Sequence, residues 1–203
     1  MTDTNRETLL DSEFAKILAA MQRACSVREY CVADILKKLQ RHKVPDSDSA
    51  KIIASLKGDN FINELRYAKA FVTDKSRLSG WGRAKIIWAL KSKQIDKEVI
   101  ENAISILSTD NVREQLRKIL AVRLKTLPLN SGASDLSDYY ESESVSDSEI
   151  DFGADSYSGD KELSPTERWK QREKQRAKLI RFGLSRGFEY DMVLSVVGEL
   201  LRN

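Results

Sequence analysis

The stretch Gly82–Leu107 reads GRAKIIWALKSKQIDKEVIENAISIL, and its reading decides the fold. Ile86, Ile87 and Leu90 share one face at helical spacing, and Val99, Ile100, Ala103, Ile104 and Leu107 make a second apolar stripe. Between them Gln94-Ile95-Asp96 leaves room only for a tight corner, with Asp96 placed to cap the second helix by accepting from its free first-turn amides. Each helix has a single apolar face, so the pair needs neighbours to bury it.

The unit recurs. Fifty-one positions earlier, Ile35, Leu36 and Leu39 match Ile86, Ile87 and Leu90, Val44 matches Ile95, and Ile53 and Leu56 match Ile104 and Leu107. Ninety-three positions later, Leu179 and Ile180 match the two isoleucines, Phe188 matches Ile95, and Val193, Val196, Val197 and Leu200 follow the second stripe. Such self-similarity marks an array of modules that bury their faces on one another. The unequal offsets place an insertion in the last copy.

A further helix precedes each pair. Phe14, Ile17, Leu18 and Met21 form the face of the first, which follows a flexible N-terminus at 1–10 and breaks at Cys25-Ser26. Ser26-Val27-Arg28-Glu29 then reads as a capping box. The next helix turns Val32, Ile35, Leu36 and Leu39 inward and Lys37, Lys38 and Arg41 outward; a third, after Pro45, buries Ala50, Ile53 and Leu56 and stops near Gly58. In the second module Asn63-Glu64 opens a helix carrying Tyr67, Ala68, Phe71 and Val72. Two glycines in the loop Leu78–Gly82 allow close backbone approach, with Trp81 as a core plug. In the third, Asp110 or Asn111 caps a helix with Val112, Leu116, Ile119, Leu120 and Leu124, which Leu127-Pro128 ends. Ser164-Pro165-Thr166-Glu167 combines a hydroxyl cap, a proline at the first helical position and a carboxylate at the third. The helix it starts runs to about Ser185, and Gly187 closes it in a left-handed conformation. The prediction is an all-α chain of three tandem three-helix repeats: 11–58, 59–108, and 109–129 with 164–203. An acidic, Ser-rich disordered insert at 130–163 splits the third.

Composition agrees with this class. Of 203 residues 41% are apolar and 32% charged, and three prolines and nine glycines are too few for a turn-rich β fold. No run approaches the ~18 apolar residues of a membrane span. Met1–Asn5 lacks the basic and apolar regions of a signal peptide. Cys25 and Cys31 form no Cys-x-x-Cys pair and are expected to be reduced thiols in a cytoplasmic protein. The net charge of +3 hides a segregation: ten acidic residues and only Lys161 fall between 130 and 165, which leaves 33 basic against 21 acidic side chains elsewhere. A basic helical body points to an anionic partner, with nucleic acid the leading candidate.

Catalysis finds no support. The single histidine, His42, sits among lysines and arginines, without the clustered ligands of a metal site or the partners of a nucleophilic triad. No phosphate-binding glycine loop or dinucleotide fingerprint is present, and the acids of the insert lack the order of a calcium loop. No catalytic residue, metal or cofactor is expected. The charge signal is strongest in Thr166–Ser185, with Arg168, Lys170, Arg172, Lys174, Arg176, Lys178 and Arg181. It reads either as a phosphate-neutralising surface or as a solvated face paired locally with Glu167 and Glu173. Trp169 is expected to pack over its own repeat rather than anchor a partner. Trp88 aligns with Lys37 and Arg181, which are exposed by pattern. Beside Lys85 and Lys91 it is either an exposed interface anchor or a contact to the neighbouring repeat. The insert reads as a tolerated loop, an intramolecular mimic of nucleic acid or a partner-binding tail.

In combination these residues resemble the RecX family of bacterial recombination regulators. Arg28-Glu29 and Leu36-Lys37-Lys38-Leu39 are similar to its first-repeat helix, and Arg66-Tyr67-Ala68-Lys69-Ala70-Phe71-Val72 to its Arg-Phe-Ala-x-x-Phe-Val segment. Gly82-Arg83-Ala84-Lys85-Ile86 with Leu90 and Ile95 resembles its middle repeat, and Arg186-Gly187-Phe188 its closing Arg-Gly-Phe. The likeness covers about 25–125 and 166–201. Asn63-Glu64 stands where the family has Asp-Asp, and the insert departs from the family. The resemblance implies an elongated, curved array that binds the RecA filament in its groove and restrains its ATPase, strand-exchange and co-protease activities. The expected contact surface is Lys37, Lys38 and Arg41, then Arg83, Lys85, Trp88 and Lys93, then Arg172, Arg176, Lys178 and Arg181. The expected protein is a monomer with no membrane association and at most weak direct DNA binding. The rivals are a helix-turn-helix-like DNA-binding module and a scaffold for another protein. The DNA-binding rival is disfavoured because Ser47–Leu56 and Lys97–Leu107 carry no Arg/Asn/Gln cluster for base edges.

Overall fold

The computed structural model describes residues 4–127 and 164–202; the insert expected at 130–163 lies outside them. Every regular element among the described residues is a helix: α1 (Thr4–Val27), α2 (Val32–Arg41), α3 (Asp46–Gly58), α4 (Glu64–Arg77), α5 (Arg83–Ser92), α6 (Lys97–Ile104), α7 (Thr109–Thr126), α8 (Pro165–Ser185) and α9 (Tyr190–Leu200).

Several helix starts follow the sequence reading. The Asn63 side chain accepts from the Arg66 amide (3.0 Å). At α8 the Ser164 hydroxyl accepts from the Glu167 amide (3.3 Å) while Glu167 accepts from the Ser164 amide (2.9 Å), a complete capping box ahead of Pro165. The Ser164 hydrogen bonds hold the Glu167 carboxyl below its ordinary pKa.

Other starts differ. The Ser26 hydroxyl donates back to the Gln22 carbonyl (2.9 Å) and caps nothing. A hydroxyl inside the last turn of a helix finds a carbonyl four residues earlier before it finds the next helix. α1 therefore continues to Val27, and α2 starts from Cys31 without a side-chain cap. Asp96 holds the N-cap position of α6 but makes no cap bond. Ser108, not Asp110 or Asn111, caps α7 by accepting from the Asn111 amide (3.3 Å). α3 buries Ser49, Ile52 and Leu56, while Ala50 is exposed and Ile53 half-buried. Apolar pattern alone selects Ala50 over Ser49, but the small hydroxyl side chain of Ser49 is the one that faces the core.

One corner occurs three times. After α2 the Val44 amide donates to the Leu39 carbonyl (3.1 Å) and Lys43 to Gln40 (2.9 Å). After α5 the bonds are Ile95 to Leu90 (3.2 Å) and Gln94 to Lys91 (2.9 Å); after α8 they are Phe188 to Gly183 (3.3 Å) and Gly187 to Leu184 (2.9 Å). The middle residue is left-handed each time, with φ of 53° at Lys43, 60° at Gln94 and 81° at Gly187. This is the Schellman closure, in which two amides beyond the helix satisfy two of its last carbonyls. Lys43, Gln94 and Gly187 are related by the offsets of 51 and 93 read from the apolar pattern, so one register describes sequence and backbone alike.

Two cores result. Met21, Cys25, Tyr30, Ile35, Leu39, Ile52, Leu56 and Ile62 form the one built by α1–α3. The other runs continuously through α4–α9, from Tyr67, Ile86 and Leu90 to Leu116, Leu120, Leu179 and Val193, and takes in Cys31 from the first triplet. Cys25 and Cys31 are both buried and unpaired, and burial pushes both thiols up in pKa.

Only the third corner uses glycine, and the turn does not explain why, since Lys43 and Gln94 adopt the same φ region with full side chains. The start of α5 explains it. The Gly82 amide donates to the Arg186 carbonyl (2.7 Å) and the Ala84 amide to the Gly187 carbonyl (3.1 Å). A Cβ on Gly82 would stand 2.3 Å from the Gly187 oxygen, and one on Gly187 would stand 2.4 Å from the Lys85 nitrogen. Gly187→Ala should therefore cost about 2–4 kcal/mol, from strain and loss of this joint. Gln94→Gly, which relieves a left-handed side chain with no such neighbour, should be neutral or stabilising by up to about 1 kcal/mol. Urea unfolding of both variants against wild type checks the contrast.

Candidate partner interface

Joints between the triplets absorb part of the expected basic surface. At the first joint Lys93, at the end of α5, reaches back to Asp34 in the first turn of α2 (2.6 Å), and both side chains are mostly buried. The Tyr67 hydroxyl donates to the other Asp34 oxygen (3.2 Å), and the Lys93 ammonium lies over the Tyr67 ring at 5.7 Å. Burial alone would raise the Asp34 carboxyl, but the hydrogen bond and charge of Lys93, with hydrogen bonds from Cys31 and Tyr67, hold it below its ordinary value. Burial, followed by the charges beside it, pushes the Tyr67 hydroxyl well above the usual phenol range. Glu29 adds an ion pair to Arg66 (2.6 Å) across the same joint.

The second joint uses the same register with different chemistry. Lys85 occupies the position of Asp34 and Arg186 that of Lys93. Two cations cannot pair, so the backbone bonds at Gly82 and Ala84 make the joint instead. Arg186 turns to the Ser79 carbonyl (2.5 Å) and stacks on Phe182 (5.0 Å). Lys85 lies over Trp81 (4.8 Å) with its ammonium 3.4 Å from the Ser185 carbonyl. Desolvation, then Arg186, lowers its pKa. Arg83 hydrogen-bonds the Leu107 carbonyl.

Arg83, Lys85 and Lys93 thus have internal partners, and Lys38 is half-buried over the Tyr30 ring (5.0 Å). Lys37, Arg41, Arg172, Arg176, Lys178 and Arg181 are exposed. Arg176 pairs within its helix to Glu173 (3.3 Å), a contact of small energetic weight at this exposure. Trp88 is 71% exposed, as its alignment with Lys37 and Arg181 implies. Trp169 is 65% exposed and does not pack over its own repeat. The whole first turn and a half of α8, 165–170, is exposed, so no core lies within its reach. His42 is exposed. No group of three or more His, Cys, Asp or Glu among the described residues could hold a metal ion, and no described helix is long and apolar enough to cross a membrane.

Reading side chains one at a time hid Asp34, Tyr67 and Arg186 as joint residues. Laying the register offsets over the charged positions as well as the apolar ones would have set Asp34 against Lys85 and Lys93 against Arg186.

Helix triplets that share one corner, with cations left on the outside, define an all-helical protein among the described residues. Residues 63–104, which are α4–α6 with their Asn63 cap, match the family model for the second three-helix domain of RecX. A Regulatory protein RecX of Clostridium botulinum (strain Eklund 17B / Type B) is 28% identical over 202 residues, covering 95% of this chain and 76% of that protein. One from Clostridium perfringens (strain 13 / Type A) is 23% identical over 198 residues, covering 98% and 74%. Among solved structures, RecX from Lactobacillus salivarius aligns with a TM-score of 0.59 at 20% identity, over 94% of this chain and 97% of that one. Another regulatory protein RecX aligns at 0.63 and 17% identity, over 98% and 79%. Over nearly its whole length the chain is thus similar to regulatory RecX proteins, and α4–α6 match their second three-helix domain.

Acid should loosen the first joint. The folded Asp34 carboxyl has the lower pKa, so its contribution is complete above the unfolded value near ~3.9 and is lost as pH falls through the folded value. Asp34→Asn is expected to destabilise by about 1 kcal/mol at pH 7 and to flatten the acid side of the stability curve, measured by urea unfolding between about pH 3 and 7.

Proposed function

We propose that this chain is a non-enzymatic regulator that binds the RecA–single-stranded-DNA filament and mainly inhibits its recombinase, ATPase and co-protease activities. It acts as a cytoplasmic monomer in DNA repair and the SOS response. The observation that carries this reading is the likeness, over 95% of the chain, to a protein named Regulatory protein RecX. Exposed cations on α2 and α8, with Lys37 and Arg181 in register with exposed Trp88, support it, because a surface spread over successive modules suits an extended partner. The units of the reading are 11–58, 59–108, and 109–129 with 164–203. Its contact surface is Lys37 and Arg41 on α2, Trp88 on α5, and Arg172, Arg176, Lys178 and Arg181 on α8. Lys38, Arg83, Lys85 and Lys93 act mainly by positioning those helices.

The test is the double charge reversal Arg176→Glu with Lys178→Glu. Both side chains are exposed, so the fold should be retained with a melting temperature within about 2 °C of wild type. Inhibition of RecA ATPase on single-stranded DNA should weaken at least about tenfold, with a steeper loss at low salt. Unchanged inhibition would remove α8 from the surface.

A further inference from the structure

Val27 and Leu78 are 86% and 84% exposed, the two most exposed large apolar side chains among the described residues. An isolated exposed aliphatic group is ordinary; here the position and its surroundings recur. The two residues are 51 positions apart, in the register that relates the first two corners. Each ends the first helix of its triplet, Val27 as the last residue of α1 and Leu78 as the C-cap of α4. Three residues on stands an aromatic ring held between two cations. Tyr30 has Arg28 at 4.5 Å and Lys38 at 5.0 Å; Trp81 has Lys75 at 4.9 Å and Lys85 at 4.8 Å. The next residue, Cys31 or Gly82, holds the N-cap position of the following helix.

The cations do not come from equivalent positions. Lys75 aligns with Ala24 and Lys38 with Ala89, so different residues assemble the same surface twice: an exposed aliphatic knob beside a cation-flanked ring. In the third triplet the first helix lies before the insert, and the buried pairs Met21/Cys25, Val72/Ser76 and Leu116/Leu120 bring Val122 into this position; it is 64% exposed, but α7 runs on to Thr126 and Lys125 stands where the ring would be, so the knob has no ring beside it.

We propose that Val27 and Leu78 are matched anchors that enter equivalent apolar pockets, each with an acidic rim, on two successive subunits of a homopolymeric protein filament. The proposal rests on the filament reading above and adds which protein contacts carry it. Nucleic acid offers phosphates and base faces rather than a pocket for an isolated aliphatic group. A single globular partner gives no reason for two copies of one knob. The cations around each ring match an acidic rim and disfavour a basic one.

The variants Val27→Ser, Leu78→Ser and their double combination leave the charge unchanged and touch no core. Ile106→Ser, at a 49% exposed apolar position between α6 and α7 outside this register, is the control. Binding of fluorescently labelled full-length protein to preassembled RecA–single-stranded-DNA filaments is measured by anisotropy, and oligomeric state by sedimentation velocity. Each single variant should weaken binding about tenfold, the double variant about a hundredfold as two separate pockets require, and Ile106→Ser should bind as wild type. Wild-type affinity in the single variants, or an equal loss in Ile106→Ser, overturns the proposal while leaving the filament reading in place. So does a wild-type self-association that the serine variants abolish, since the knobs would then join copies of this chain. Failure of the wild-type protein to bind filaments overturns both.

Discussion

Two backbone hydrogen bonds, from Gly82 and Ala84 to the carbonyls of Arg186 and Gly187, fix the third triplet on the second. The first-turn amides of α5 have no partners in their own helix and need acceptors. The corner after α8 supplies them, and only because neither Gly82 nor Gly187 carries a Cβ at the crossing. The core that runs through α4–α9 spans both sides of this crossing.

The corresponding contact between the first and second triplets is made by side chains. Asp34, Lys93 and Tyr67 form a partly buried network there, and the cores on either side stay separate except where Cys31 and Ala33 reach the larger one. Identical registers are thus joined once by backbone and once by charge. A charge-made joint responds to pH and to single substitutions in a way a backbone joint does not. The first triplet is therefore the one whose attachment can be tuned without disturbing the rest of the fold. It is also the triplet that carries Lys37, Arg41 and Val27 on the outside.

Much of this was legible in the residues. The stripes Ile86–Leu90 and Ile100–Leu107, the corner at Gln94, the box at Ser164–Glu167 and the left-handed Gly187 all follow from local rules, because local geometry and one apolar face suffice to set them. The misreadings share a cause. Ser26, Asp96, Asp110 and Ser49 are polar residues whose short side chains have several partners in reach, and composition does not rank those partners. Trp169 was misplaced because an aromatic side chain implies burial only where a core lies within reach, and the start of α8 has none.

The sequence by itself determined that this chain is helical, that its helices come in a repeated register, and that its body is basic, because periodicity and charge are properties of nearest neighbours along the chain. Tertiary structure decided which cations remain outside. Lys85 and Lys93 look like surface residues in the pattern. They are drawn inward because the start of one helix meets the corner of the next triplet, with Asp34 or a carbonyl waiting there. Which group a lysine meets depends on residues 59 and 100 positions away, and no local rule reaches that far.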